Sequence, residues 1–398
     1  LHRVDRRQRQ MCIRDRQTLA RQINDLFRFT PTAHSDETRK LYDVTEDVYN
    51  VRRSLDPKDL ERPLCQFKPT FTDRGRLNLG LITEHGVGGG MSLTKWSANQ
   101  WASQVLPTRV LGFLEKLLEF GPSGRQMAEL NATLFATQKT DPSFVRTIEH
   151  GGERSVRAVL SQRYATVDDV DVLGALLGAE ETKGLPVCYL KISDTGFHMR
   201  MWLDPDETFM FDGKGHEFIR TKKPMIEVRN SEVGRCAVTM TGGMIDSACT
   251  NLHVSWGDKV NYRWIHSGST RGSDRIKNGI SEAVRASRVV ASQVAQKYIK
   301  AAQTEVADMY ALIDQWLPAV SQNVTKVVVE ETKKALTDPT TLQNHSLASI
   351  ADAVTLAAQK ISDDFDRRAI EVVAAKVVDR GLRYAANNGG LIDIQEAV

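Results

Sequence analysis

Cys236, Cys249, His253 and His266 form the one set of side chains in the sequence that resembles metal ligation, because Cys249 and His253 stand four apart and would share a helix face. Their overall spacing fits no zinc pattern, and isolated cysteines are among the most often buried residues, so the set is read as structural. Gly86-Val87-Gly88-Gly89-Gly90 follows an apolar run and precedes a helical one, which is the context of a phosphate-cradling loop. Met91-Ser92 stands where a P-loop carries lysine, and a flexible turn is the simpler reading. Ser161 and Ser231 each have a basic neighbour but no histidine close in sequence, and no nucleophile elbow or His-Glu-x-x-His helix is present. These observations lean away from an enzyme and imply no cofactor or metal.

Basic residues carry more information. Residues 259 to 300 hold Lys259, Arg263, Arg271, Arg275, Lys277, Arg285, Arg288, Lys297 and Lys300 against Asp274 and Glu282. Such a segment is either a solvated face paired with acids elsewhere or a surface that binds phosphate. A second cluster runs from Arg154 to Tyr164. If it is extended, Arg157, Val159 and Ser161 share one face while Val156, Ala158 and Leu160 share the other. Arg157, Arg163 and Tyr164 could then grip phosphate and stack on a base, together with Arg271 and Arg275. Pairing of the same arginines with Glu153, Asp168 or Asp169 is the competing reading.

The elements that must position these residues belong to a chain of 398 residues, 41% hydrophobic and 26% charged, enough to bury a sizeable core. Its formal charge is +3, but residues 1 to 16 contribute six arginines and two aspartates, leaving 47 basic and 48 acidic residues. Met11-Cys12-Ile13-Arg14-Asp15-Arg16 is the translation of a transposase recognition end used in preparing sequencing libraries, so residues 1 to 16 read as a sequencing artefact. Nucleic-acid binding therefore has to rest on a local patch rather than on global charge. With no long apolar run, no signal-like start and five widely spaced cysteines, the expectation is a cytoplasmic protein with reduced thiols and no membrane contact.

Periodicity predicts an α+β fold, an antiparallel sheet with flanking helices followed by a C-terminal all-helical region. Residues 17 to 70 read as a peripheral arm with one helix around Thr18 to Phe29. Residues 71 to 270 read as the α+β core, and 271 to 398 as the helical region. Leu77 to Ile82 predicts a strand, and a helix entered at Ser92 or Thr94 breaks at Pro107 and resumes to about Leu118 before Gly121-Pro122-Ser123-Gly124. Val156 to Leu160, Val187 to Ile192, His198 to Leu203 and Met225 to Val228 read as strands. Turns are expected at Asp194-Thr195-Gly196 and Asp212-Gly213-Lys214-Gly215, and a short helix at Val170 to Leu177 entered at Asp168 or Asp169. Ile276, Ile280, Val284, Ala291, Val294 and Tyr298 line one side of a long helix, with further helices near 302 to 317, 321 to 336, 346 to 361 and 364 to 386. Val327-Val328-Val329 would equally suit a strand.

RSVRAVLSQRYATVDD from Arg154, RNSEVGRCAVTM from Arg229 and SACTN from Ser247, in that order, resemble the phage- and plasmid-borne family of domain of unknown function 932. The resemblance spans about residues 71 to 380 and includes LNATLF from Leu130 and the segment from Ser346 to Arg368. Leu252-His253 departs from the glycine that members often carry after Asn251. The resemblance implies a mobile-element setting beside recombination genes, with Asn230, Ser231, Glu232, Cys249 and Asn251 as motif residues and no fixed activity. A curved antiparallel sheet with helices and a basic face makes single-stranded DNA binding or annealing the leading expectation, by analogy of fold, with a homo-oligomer open. A non-catalytic interaction protein such as a host-defence antagonist is the alternative. So is an enzyme whose pocket converges on Asn230, Ser231, Glu232, Cys249 and His266. Asn230-Ser231-Glu232 is expected to be a turn or cap at a strand end.

Overall fold

The computed structural model describes residues 27–29 and 39–393, except 74, 108–109, 151, 205–208, 213–218, 247–253, 257–261, 268–271, 339–340 and 342–343. In chain order the first elements are β1 (Phe27–Phe29), β2 (Arg39–Lys40), α1 (Leu41–Ser54), β3 (Lys58–Pro63), β4 (Phe67–Phe71), β5 (Leu77–Thr83), β6 (Gly86–Val87) and β7 (Met91–Leu93). Three helices follow, α2 (Lys95–Val105), α3 (Val110–Leu118) and α4 (Gly121–Thr137), then β8 (Pro142–His150), β9 (Glu153–Ser161) and α5 (Asp169–Leu177). The chain continues through β10 (Pro186–Ile192), β11 (Phe197–Trp202), β12 (Phe209–Asp212), β13 (Ile219–Asn230), β14 (Val238–Asp246), β15 (Val254–Trp256) and β16 (Tyr262–Trp264). It ends in α6 (Gly272–Gln303), β17 (Glu305–Val306), α7 (Met309–Val320), α8 (Lys326–Ala335), α9 (Leu347–Ala358), α10 (Asp364–Asn387) and β18 (Leu391–Ile392).

These strands build two main sheets. The first is antiparallel throughout, ordered β1-β10-β11-β13-β14-β15, with β2 on β10, β12 on β13 and β16 on β14. The second is ordered β3-β8-β9-β7-β5-β4 with β6 on β5, antiparallel except for the β7–β9 pair. Period-2 alternation explains how the first sheet is covered on both faces. Phe197, Met199 and Met201 point into a core shared with α1, α5 and α6, whereas His198, Arg200 and Trp202 face the C-terminal helices. The second sheet packs one face on α2, α3 and α4 through Val145, Val156 and Val159. A third core joins the end of α6 to α7, α8, α9 and α10.

The α+β fold, the antiparallel sheet and the helical C-terminal region stand as the periodicity reads them. Every residue of the expected α6 stripe is buried, at roughly 1.5–3 kcal/mol for each large aliphatic side chain. The valine triplet 327–329 is helical, because Thr325 caps α8 by accepting from the Val328 N–H. Two expectations change. The arm is not peripheral from Arg39 onward, since α1 buries Leu41, Val44 and Val48 in the first core and β3 and β4 belong to the second sheet. The helix expected at Thr18–Phe29 lies mostly outside the described residues, and its end at Phe27–Phe29 is a strand pairing with Leu190–Ile192. After α3, Gly121-Pro122-Ser123-Gly124 opens helix α4, with Pro122 in the first helical turn where its missing N–H costs nothing. The turn expected at Gly213-Lys214-Gly215 lies outside the described residues.

Candidate functional site

The two sheets meet around Glu232, and a β-bulge decides what reaches it. Pairing of β8 with β9 passes from Thr147–Val156 directly to Arg146–Ala158, so Arg157 is the extra residue of β9. A bulge breaks strict alternation and re-aims one side chain. Arg157 therefore leaves the face of Val159, which packs on α2 to α4, and turns toward the loop after β13.

There it is 3% exposed, with Nη1 donating to Glu232 Oε2 at 2.7 Å and Nε and Nη2 donating to the Asp194 carbonyl at 3.1 and 2.8 Å. Arg146 donates through Nε and Nη2 to the Asp59 carboxylate and through Nη1 to the Glu232 carbonyl, and lies 2.8 Å from Asp168. Arg52, from the last turn of α1, donates to Asp169 and to the Ser193 carbonyl, with its Nε 3.5 Å from Glu232. Asp169 opens α5 behind the N-cap Asp168, and its own N–H donates to Glu232 Oε1 at 2.9 Å.

The Asn230-Ser231-Glu232 turn is thus a junction at the end of β13. Asn230 Nδ2 donates to the Val167 carbonyl and to Asp169 Oδ1, both at 2.9 Å, and Ser231 Oγ donates to the Thr195 carbonyl while accepting from the Arg235 N–H. Burial pulls the Glu232 carboxyl upward, but Arg52, Arg157 and Arg146 outweigh it and hold the group far below the usual carboxylate range. Asp169 moves the other way. Burial first, and then the Glu232 charge, push it up to about 6 against the pull of Arg52.

A cleft of about 470 Å³ opens onto this cluster between α1, β8 and the start of α5. Tyr49, Leu55, Ile148 and Val170 supply apolar wall, and Arg53 at the mouth makes no ion pair among the described residues. The donors of Arg52, Arg146 and Arg157 are already spent on carboxylates and carbonyls. Chemically the cluster is a clasp between the sheets rather than an open anion site.

Arg157 is accordingly removed from the phosphate-binding set. Tyr164 is not free to stack on a base either. Its hydroxyl donates to the Ser231 carbonyl at 2.9 Å, which makes His266 Nδ1, 3.0 Å away, the donor to the phenol oxygen, and the two rings stack with centroids 5.0 Å apart. Burial raises the Tyr164 phenol and lowers the His266 imidazole. Arg163 is exposed on the adjoining turn. Arg271, Cys249, Asn251 and His253 lie outside the described residues, as does the side chain of Arg275. Of the residues on which an enzyme pocket was expected to converge, Glu232 alone lines the cleft, while Asn230, Ser231 and His266 are buried away from it. Burial pushes the Cys236 thiol up to about 11. No group of three or more His, Cys, Asp or Glu side chains is arranged to hold a metal among the described residues. The glycine cluster contributes a hairpin, with Gly86 at φ 112° and the Gly88 N–H donating to the Leu81 carbonyl.

Unpaired cations lie on the outer side of α6. Lys277, Arg285, Arg288 and Lys300 are exposed and make no ion pair among the described residues, whereas Lys297 reaches Asp379 at 2.8 Å. Beside them an open groove of about 550 Å³ is lined by Tyr262, Ser281, Glu282, Arg285, Ala286 and Val289. Tyr262 stacks on Trp264 with centroids 5.7 Å apart, so the wall contributed by β16 is aromatic.

Sequence reasoning missed a second buried network on the opposite face of the first sheet. His198 and Arg368 bond the two oxygens of Glu227 at 2.5 and 2.7 Å, Arg200 reaches Glu371 at 2.8 Å, and Asp352 takes Lys222 and the Tyr298 hydroxyl. Charges inside otherwise apolar strands were the available signal.

Fold and sites together define an α+β protein of two antiparallel-rich sheets clasped by buried ion pairs, with a helical C-terminal core. Comparison with protein-family models, with curated proteins and with solved structures finds no match. No helix among the described residues is long and apolar enough to cross a membrane.

Proposed function

We propose that the protein binds single-stranded nucleic acid along α6 and β16, in the manner of an annealing or recombination protein of a mobile element. The observation that carries this reading is a groove with an aromatic wall, Tyr262 stacked on Trp264, lined by Arg285 and continued along α6 by Arg288, two exposed arginines that make no ion pair among the described residues although the charge of Glu181 acts on both. Aromatic faces stack on any base, and free guanidinium groups neutralise phosphates without reading sequence. The residue set differs from the one the sequence suggests: Arg163 stays in it, Arg157 and Tyr164 leave it, and Arg285, Arg288 and Tyr262 enter. The ordered motifs from Arg154, Arg229 and Ser247 resemble those of a mobile-element family, which supports the same setting. An interaction-protein reading needs the α6 cations to be neutralised internally; among those described Lys297 alone makes an ion pair, while Arg285 and Arg288 share the charge of Glu181 without contacting it as a pair.

The test is fluorescence anisotropy with a labelled single strand, on the full chain and on a version whose six arginines before residue 17 are glutamine, since those charges could bind phosphate by themselves. About four phosphate contacts give a slope of log affinity against log salt near −3. Reversing Arg285 and Arg288 to glutamate should weaken binding at least tenfold. Absence of binding by the glutamine version at low salt and micromolar protein would sink the reading.

A further inference from the structure

The α3–α4 hairpin carries its large apolar side chains on the wrong side for a monomer. The face of α4 turned to the protein is built of Gly124, Ala128, Ala132 and Ala136, all buried, while Met127, Leu130 and Leu134 are 55%, 60% and 55% exposed on the other. Ordinary surface helices show the reverse pattern. The small inner face has a packing reason, since a Cβ on Gly124 would lie 1.9 Å from the Leu117 carbonyl oxygen. No such reason accounts for three large apolar residues outside.

Ser123, Met127, Leu130, Leu134 and Thr137 repeat at intervals of four and three, the spacing of a helix–helix seam, and none is charged. Phe113 of α3 and Phe120 at the N-cap of α4 add to the apolar surface of the hairpin and are also more than half exposed. The charges beside the stripe are already engaged, Arg125 with Asp73 and Glu129 with the Phe71 N–H, so covering the stripe would strand neither of them.

We infer that this stripe is the interface between two copies of the chain, packed as antiparallel α4 helices about a two-fold axis near Leu130. Self-pairing suits it because an uncharged stripe meets itself without like-charge repulsion, Ser123 facing the partner's Thr137 and Met127 facing the partner's Leu134. Antiparallel packing also opposes the two helix dipoles favourably. The five exposed residues present about 500 Å² of apolar surface per copy, so the pair buries about 1,000 Å², the lower bound of a specific interface. A two-fold contact of this kind closes on itself, and the assembly stops at two. The inference stands independently of nucleic-acid binding.

Sedimentation velocity of the full chain at tens of micromolar should give twice the 44.5 kDa chain mass. L130E combined with L134E should shift the species to monomer and weaken association at least a hundredfold, with an unchanged circular-dichroism melt, because both residues face solvent in the single chain. Leu130→Cys should cross-link to itself under mild oxidation, whereas Ser103→Cys, exposed on α2, should not. A monomeric wild type at that concentration overturns the inference. A dimer that survives both glutamates, or a dimer in which Leu130→Cys fails to cross-link, overturns it equally.

Discussion

Replacing Glu232 by glutamine removes one charge and almost no volume, and tests whether the clasp between the sheets is energetic or merely geometric. The amide oxygen can still accept from the Asp169 N–H, which lies 2.9 Å from Glu232 Oε1 in the wild type. What is lost is the charge pair with Arg157 at 2.7 Å and the weaker one with Arg52 at 3.5 Å, leaving buried guanidinium groups short of one counter-charge. Taking one partner from a buried pair costs about 3–5 kcal/mol. Relief of the Glu232–Asp169 repulsion, which otherwise raises the Asp169 carboxyl, offsets part of this and places the loss near about 3 kcal/mol. Urea unfolding should show the midpoint falling with the slope m unchanged. Adding Arg157→Met to Glu232→Gln should recover part of the loss, with a coupling energy of about 1 kcal/mol or more. Loss below about 1 kcal/mol for Glu232→Gln, with additive behaviour in the double variant, would refute the clasp.

Asp169 sets a pH dependence. Its folded carboxyl sits at about 6 against 3.8 for a free aspartate, so the folded state holds the extra proton between those values and stability falls as pH rises through that window. Asp169→Asn should flatten this part of the stability profile, measured by urea unfolding on either side of the window, and an identical slope in both proteins would contradict the assignment. Glu232 contributes in the opposite sense, with its stabilisation present above about 4.5 and lost as the pH falls toward its depressed folded value. Gly242→Ala should cost about 1–3 kcal/mol in a thermal melt, because the added Cβ would stand 2.3 Å from the Ser287 carbonyl oxygen where α6 crosses β14. A neutral result there would mean that α6 can lift off the sheet freely.

Elements with a regular period were legible, and those whose chemistry depends on distant partners were not. The Ile276–Tyr298 stripe and the Asp194-Thr195-Gly196 turn follow from local patterning, and so does the helix entered at Asp168. Strict alternation places Arg157 on the face of Val159, because it gives no hint of an extra residue in β9. Its true partners, Asp194 and Glu232, lie 37 and 75 residues away. The charged residues in apolar strands mark the network around Glu227, but its partners are not legible, since Glu371 and Asp352 approach the sheet only after the C-terminal helices have packed. Arg285 in the groove and Arg288 beside it belong to the basic segment that the sequence marks, but sequence alone does not say which of its cations make no ion pair.

Helix α6 has 32 residues and a length of about 48 Å. Its first six turns bury Ile276, Ile280, Val284 and Ala291 against the first sheet, and its last turns bury Tyr298 and Ala301 among the C-terminal helices. One continuous rod therefore belongs to two cores, and neither can melt without fraying the other's share of it. Calorimetry should record the sheet and the helical end leaving the native state in a single endotherm, and a protease nick inside the rod should release no fragment that keeps its shape.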